Sequence, residues 1–375
     1  MSPARRRLPA LLLSAALLLS ALSGCSVILE REYLVSTPHE EQPVTDDDEN
    51  ILQVETYQEL VNSILYFVDH RMEHGVVRLI NYPRDVESDL SAACLEVASD
   101  APIGAYAVSN IRYDSTRVVK YYEANLYITY RRTAQQMDAV RSVIGASAIR
   151  GVLAETLSSF GQEAVMQVSY FAEDEAYISG LVRQTYYDTP DAALGMPEYT
   201  ITLYPEQGSE RIVEVRFTYA LSAETLAQRR QTLQREAEDI TAPLQGQTGQ
   251  TAVSSLFRLL RKRVPQCTQG ATAYEVLLNG QGDSEGMALA FQLLCQCMKV
   301  ESVVVQGTLD GAPHFWNVVT FDDGTARHVD ATREDGLLLD DDALTQMGYT
   351  WDRDETPACT PAAQPEISPQ PSGTP

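Results

Sequence analysis

The stretch from Ser284 to Met298 constrains this chain more than any other, because Met287, Ala288, Leu289, Ala290, Phe291, Leu293 and Leu294 leave it almost no polar face. A helix that is apolar on all sides has to be wrapped by other elements. The elements that follow and precede it are legible too. Ala252–Arg263 reads as an amphipathic helix carrying Arg258, Arg261, Lys262 and Arg263, and Tyr274–Leu278 as a short apolar run. Gly280-Gln281-Gly282-Asp283 is a turn. It puts Ser284 at the helix N-cap, where a hydroxyl accepts from an exposed backbone N–H. Val303–Val305, Trp316–Phe321 and Ala326–Ala331 read as strands, the last two joined by the hairpin turn Asp322-Asp323-Gly324.

Upstream, the chain repeats itself at a constant offset of 89 residues. Glu123–Tyr130 aligns with Ile212–Tyr219, so that Leu126/Val215, Ile128/Phe217 and Tyr130/Tyr219 share one strand face. At the same offset Val76–Leu79 meets Val165–Val168, and Leu60, Ile64 and Val68 meet Ile149, Leu153 and Leu157. The i, i+4, i+8 spacing of those three is an apolar helix face. Each copy reads helix, strand, helix, strand, strand, helix, which is a duplicated α+β module. Nothing in it looks catalytic. His70 and His74 are four residues apart on a possible helix end, but a third metal ligand is missing and surface histidines are expected. No cofactor is implied anywhere in the sequence.

Ser284, His314 and Asp330 follow one another in the order nucleophile, base, acid. Gly282-Asp283-Ser284-Glu285-Gly286-Met287-Ala288, with Ala290-Phe291, resembles the nucleophile motif of transglutaminase-like domains, which have cysteine at the position of Ser284. His314-Phe315-Trp316-Asn317-Val318-Val319 is similar to that family's histidine strand, and His328-Val329-Asp330-Ala331-Thr332 to its aspartate strand. The resemblance covers roughly residues 253–352. It implies an α+β, papain-like arrangement in which the nucleophile helix packs on an antiparallel sheet, with Ser284, His314 and Asp330 at the triad positions. Two departures stand out: Ala326-Arg327 and Arg333 occupy places where the family often has aromatic residues, giving a more polar cleft.

The oxygen at position 284 decides the chemistry. A helix N-terminus carries about half a positive charge and, with a histidine, stabilises a thiolate, whose free thiol has a pKa of about 8.5. An alcohol lies far higher and reacts only if a base is aligned with its hydroxyl during attack. The expectation is therefore a degenerate site with little or no catalysis, binding a peptide-like or cell-wall ligand, with Trp316 and Asn317 as ligand contacts. The alternative is a serine-dependent amide hydrolase or acyltransferase acting on envelope peptides. A third reading is an assembly component without a ligand.

The amino terminus fixes the setting. Arg5, Arg6 and Arg7 precede an apolar run from Leu8 to Leu22, too short to span a bilayer and matching a signal-peptide core. Leu22-Ser23-Gly24-Cys25 resembles the bacterial lipobox, which implies cleavage before Cys25 and lipidation (palmitate among the acyl groups) of its thiol. The expected partner is thus a membrane, reached through the lipid on Cys25, with the body on the extracytoplasmic face. With 28 basic against 52 acidic residues, a net charge of −24, nucleic acid is excluded as a partner for lack of a basic face. A cell-wall peptide or an envelope protein is the other expected partner. Of the six cysteines, five would be left after lipidation: Cys94, Cys267, Cys295, Cys297 and Cys359. That odd number cannot all pair internally. Cys295 and Cys297 stand about 200° apart on the helix and are read as core residues. The expected organisation is a signal peptide at 1–24, an acidic tether at 25–53, repeats at 54–143 and 144–242, the transglutaminase-like domain at 251–354, and a Pro-rich disordered tail at 355–375.

Overall fold

The computed structural model describes residues 44–45 and 51–360. The signal peptide, Cys25, most of the acidic tether and the tail beyond residue 360 lie outside the described residues. Among the described residues no helix is long and apolar enough to cross a membrane. The architecture is α+β. The described residues form two compact units. One comprises those through Gly151, with Val165–Glu175 and Thr202–Glu214; the other comprises Val152–Ala164, Ala176–Ile201 and the residues from Val215 on.

The first unit holds a five-stranded sheet made of β1 (Val44–Thr45), β2 (Ile51–Val54), β3 (His74–Ile80), β4 (Val108–Val118) and β5 (Tyr121–Tyr130), in the order β1-β2-β3-β5-β4. Structure thus begins within the stretch read as tether: Leu52 is fully buried. Helix α1 (Tyr57–Asp69) starts at a reciprocal capping box, Thr56 with Glu59, and buries Leu60, Ile64 and Val68. Helices α2 (Val86–Ser99) and α3 (Pro102–Ala107) complete the layer. His70 caps α1 while His74 opens β3, so the two histidines do not share a helix face.

A four-stranded sheet repeats this topology, with β6 (Arg141–Val143), β7 (Glu163–Ser169), β8 (Glu198–Tyr204) and β9 (Glu210–Thr218) in the order β6-β7-β9-β8. Leu52 pairs with Val77 across parallel strands, and 89 positions on Arg141 pairs with Met166 in the same parallel register. The helices between the paired strands, α1 and α4 (Gly145–Ser158), bury equivalent residues, including Ile149, Leu153 and Leu157. Helix α5 (Glu175–Asp188) follows β7.

The second unit carries α6 (Ala223–Thr241), α7 (Gly249–Arg263), a π-turn at Glu275–Asn279 and α8 (Ser284–Cys297). A five-stranded antiparallel sheet follows: β10 (Glu301–Leu309), β11 (Ala312–Thr320), β12 (Ala326–Val329), β13 (Leu337–Leu339) and, after the short helix α9 (Asp341–Gln346), β14 (Tyr349–Trp351). Their order is β13-β12-β11-β10-β14. The β10–β11 hairpin turns on Asp310-Gly311, both at positive φ (51° and 81°), as a two-residue type I′ turn demands. The buried helix on an antiparallel sheet, implied by the sequence resemblance, is present. Ten consecutive residues of α8, Gly286 to Cys295, are buried. Cys295 is among them, whereas Cys297 is only half-buried, at the helix end.

Candidate functional site

Helix α8 is capped by Asp283, whose carboxylate accepts from the Gly286 N–H at 3.0 Å. This corrects the expectation that Ser284 would be the cap. A carboxylate is the better match for the positive helix end. Ser284 becomes the first helical residue, half-buried, and its hydroxyl makes no hydrogen bond with another described residue. Glycine at 286 is required by a close approach: a Cβ there would sit 2.3 Å from the Gly270 carbonyl oxygen. That segment is sewn to the helix entrance. The Asp283 N–H donates to the Gly270 carbonyl (2.9 Å) and the Thr268 N–H to the Gly282 carbonyl (2.8 Å). Cys267, exposed beside Thr268, shares electrostatic surroundings with Asp283, Arg261 and Asp330.

The register of helix and strand is pinned twice. The Asn317 side-chain N–H donates to the Ala288 carbonyl at 3.0 Å. Nearer the helix start, the Tyr187 ring lies 5.7 Å from the Phe315 ring, and its hydroxyl donates to Glu285 at 2.9 Å. Burial pushes the Glu285 carboxyl upward, against the bond from Tyr187. Helix and strand therefore begin at the same end, which brings Ser284 and His314 to one end of the pair. Side chains alternate along a strand. Phe315 and Asn317 face the helix, so His314 and Trp316 belong to the opposite set. No hydrogen bond joins Ser284 to His314 among the described residues.

His314 is paired with Asp330: its Nε2 lies 2.7 Å from Oδ2. The ring is largely buried, its side chain 13% exposed. Nδ1 is left without a partner among the described residues. Asp330, 1% exposed, accepts three further hydrogen bonds: from the Tyr349 hydroxyl on Oδ2 at 2.5 Å, and from the Thr332 N–H and hydroxyl on Oδ1 at 2.8 and 2.6 Å. Burial is the largest single influence on this carboxyl and favours the neutral acid. The bond from His314 and the electrostatic pull of that ring, followed by the bonds from Thr332 and Tyr349, together outweigh it and hold the group below the usual carboxylate range. The Tyr349 ring meets the imidazole edge-on at 5.6 Å, and Trp316 stacks on it at 6.3 Å.

Trp316 and Asn317 do not serve as ligand contacts. Each is 1% exposed. The Trp316 indole N–H donates to His328 Nδ1 at 3.0 Å, and Asn317 is tied to α8, so both hold the sheet together rather than line a cleft.

His328, Asp341 and Cys359 bring a ring nitrogen, a carboxylate oxygen and a sulfur within 4.8 Å of one another, a possible metal-ligand set. The hydrogen bonds argue against an ion. Because Nδ1 accepts from Trp316, the proton resides on Nε2, which donates to Asp341 at 2.8 Å. Neither nitrogen keeps a lone pair for a metal. The Cys359 N–H in turn meets the Asp341 carboxylate at 3.3 Å, and its buried thiol is pushed up to about 12 by desolvation first. The stretch read as the start of a disordered tail is thus docked through residue 359.

No family model matches the sequence, and no curated protein matches it. Solved structures similar to the chain include a TGase, with a TM-score of 0.26 and 12% identity over 46% of this chain and 52% of that one. A candidate cysteine protease from Cytophaga hutchinsonii gives a TM-score of 0.24 and 13% identity over 38% of this chain and 65% of that one. A candidate protease from Parabacteroides distasonis gives 0.20 and 11% over 58% and 52%. In each case the match spans less than two thirds of the solved chain.

Proposed function

We propose that this chain is a lipid-anchored surface protein whose transglutaminase-like domain binds a peptide-like or cell-wall ligand with little or no turnover. The observation that carries the reading is the combination of an assembled His314–Asp330 pair with an unengaged Ser284 hydroxyl. An alcohol becomes a nucleophile only when a base is lined up on it. A histidine oriented through one nitrogen, with the other unoccupied, still offers a directional contact to a ligand. The test is calorimetric titration with cell-wall peptides, alongside an amidase and acyl-transfer assay of the wild-type protein. Binding without turnover is expected. Turnover abolished by Ser284→Ala would overturn the reading. Metabolic labelling with an alkynyl fatty acid tests the anchor: label is expected on the wild-type chain and none on Cys25→Ala.

A serine-dependent hydrolase is the second reading. The pairing of Nε2, rather than Nδ1, with Asp330 leaves Nδ1 for a base, and the reading further requires His314, on the face of β11 turned from α8, to reach the Ser284 hydroxyl. It requires Ser284 to react with a fluorophosphonate probe, and persistent absence of label would remove it.

A further inference from the structure

Strand β4 ends the five-stranded sheet of the first unit: among the described residues it pairs with β5 and with no other strand. The Arg131 guanidinium takes the Val108 carbonyl at 3.0 Å and a bulge follows, so the open edge begins at Asn110. From there to Val118 the register with β5 is unbroken, and the stretch holds no proline. An edge of that length is a template for another strand. The ladder fixes which of its backbone groups are open. The Ile128 N–H donates to the Glu73 carbonyl on the β3 side (2.9 Å), and the Arg131 N–H to the Ala107 carbonyl on the β4 side (2.8 Å). Backbone groups alternate along a strand, so Thr129, Tyr127, Asn125 and Glu123 bond to β4. Their partners there are Asn110, Arg112, Asp114 and Thr116. Ile111, Tyr113, Ser115 and Arg117 therefore turn N–H and C=O outward. The Tyr113 side chain lies toward α2, its hydroxyl donating to the Glu87 carbonyl at 3.2 Å. Arg112 and Asp114 stand on the opposite face, both exposed. The Asn125 amide donates to the Asp114 carboxylate at 2.8 Å, whereas Arg112 makes no ion pair among the described residues.

We propose that this edge pairs with the same edge of a second copy of the chain, antiparallel, about a two-fold axis at Tyr113. Charge selects that register. It sets Arg112 opposite Asp114 of the second copy, and Asp114 opposite its Arg112, at non-hydrogen-bonded sites, where facing side chains stand closest. Tyr113 meets its own copy and Ile111 meets Ser115, each with outward backbone groups on both strands, as an antiparallel ladder needs. Neighbouring registers fail. An axis at Arg112 or at Asp114 sets that charge against itself. An axis at Ile111 or at Ser115 leaves both charges without an opposite. An axis between two residues mates outward backbone groups with inward ones. On the other face, the bond between Ser115 and Glu87 lays α2 along the edge. Two turns on from Glu87, along the same side of α2, Leu95 is 67% exposed. The two-fold brings α2 of the second copy to this side of the sheet, where Leu95 gains apolar cover.

The test exchanges the charges. The full chain is expressed with two different tags in one cell, extracted in mild detergent, captured through one tag and measured through the other. Wild-type copies are expected to capture each other. Arg112→Glu sets like charges against each other at both sites of its own dimer, and so does Asp114→Lys. Each should capture itself at least about tenfold less well. Mixed, the two variants restore opposite charges at both sites and should capture each other as the wild type does. Association through lipid chains or detergent would not tell these combinations apart, so equal capture in all of them overturns the proposal. Failure of the mixed pair, with both variants melting as the wild type does, overturns it as well. Where a variant fails to fold, the wild type decides: analytical ultracentrifugation of the full chain in detergent should show a concentration-dependent dimer, and a monomer up to millimolar concentration overturns the pairing.

Discussion

Two histidine–carboxylate pairs occupy one sheet, and they differ at a single nitrogen. His314 gives Nε2 to Asp330 and keeps Nδ1 open. His328 gives Nε2 to Asp341 and fills Nδ1 with the Trp316 indole N–H. The first ring is 13% exposed at its side chain and the second not at all. Identical residue types thus serve different ends. A ring with both nitrogens satisfied by the protein is a structural tie, whereas a ring with one left over is available to something else. Proximity to a carboxylate alone does not distinguish them, and sequence spacing distinguishes them even less.

The comparison breaks most visibly in stability. His328→Ala leaves a cavity, a buried indole N–H without its acceptor and a carboxylate without its donor, and should cost about 3–5 kcal/mol in urea denaturation. His314→Ala should cost less, about 1–3 kcal/mol: it takes one of four donors from the buried Asp330 carboxylate, but its open nitrogen leaves no second group stranded. Equal costs would refute the distinction.

The next effect is one of pH. Burial depresses the His328 pKa, ahead of the opposing pull of Asp341. The unfolded chain then binds the proton more readily than the folded one. The stabilisation is present above the unfolded value near 6.5 and is lost as pH falls from there toward the lower folded value, at up to about 1.4 kcal/mol per pH unit. Denaturation between pH 7 and 5 measures it, and His314→Ala should retain it. Asp330, whose folded pKa is lowered, contributes in the same direction at lower pH. Its stabilisation is present above about 3.9, the unfolded carboxylate value, and disappears as pH falls through the folded one.

Trp316→Phe should make the two histidines alike. It removes the donor to His328 Nδ1 at a cost of about 1–2 kcal/mol, and the freed ring should sample a second tautomer in 15N spectra. The smallest effect is expected at Arg333→Ala. Its pair with Asp335 is exposed, and the change should stay within about 0.5 kcal/mol.

Sequence pattern located the large pieces because each carries a periodic or local signal. The apolar run of α8, the Asp322-Asp323-Gly324 turn and the equivalent apolar positions of the two copies all depend on neighbours within a few residues. Asp310-Gly311, the turn between β10 and β11, is a hairpin signal of the same kind. The His314–Asp330 pair was legible through its motif. Tyr349 was not, since it reaches Asp330 only through the β10–β14 pairing and lies in a stretch with no motif. His328 sits in a strand where alternation gives its face but not its partners. Trp316 and Asn317 were misread for a related reason: a polar or amphipathic side chain beside a functional histidine looks available until its hydrogen bonds are seen to point inward. The cap at Asp283 was missed because serine and aspartate are both good caps, and one residue of register separates them.

The double pin between α8 and β11 limits how this region can be redesigned. With Asn317 fastened to Ala288, and Tyr187 touching both Glu285 and Phe315, the strand cannot creep along the helix by one position without turning over, which would exchange His314 for Phe315. An engineer wishing to alter the contacts of His314 has no sliding adjustment to use, only replacement of side chains where they stand.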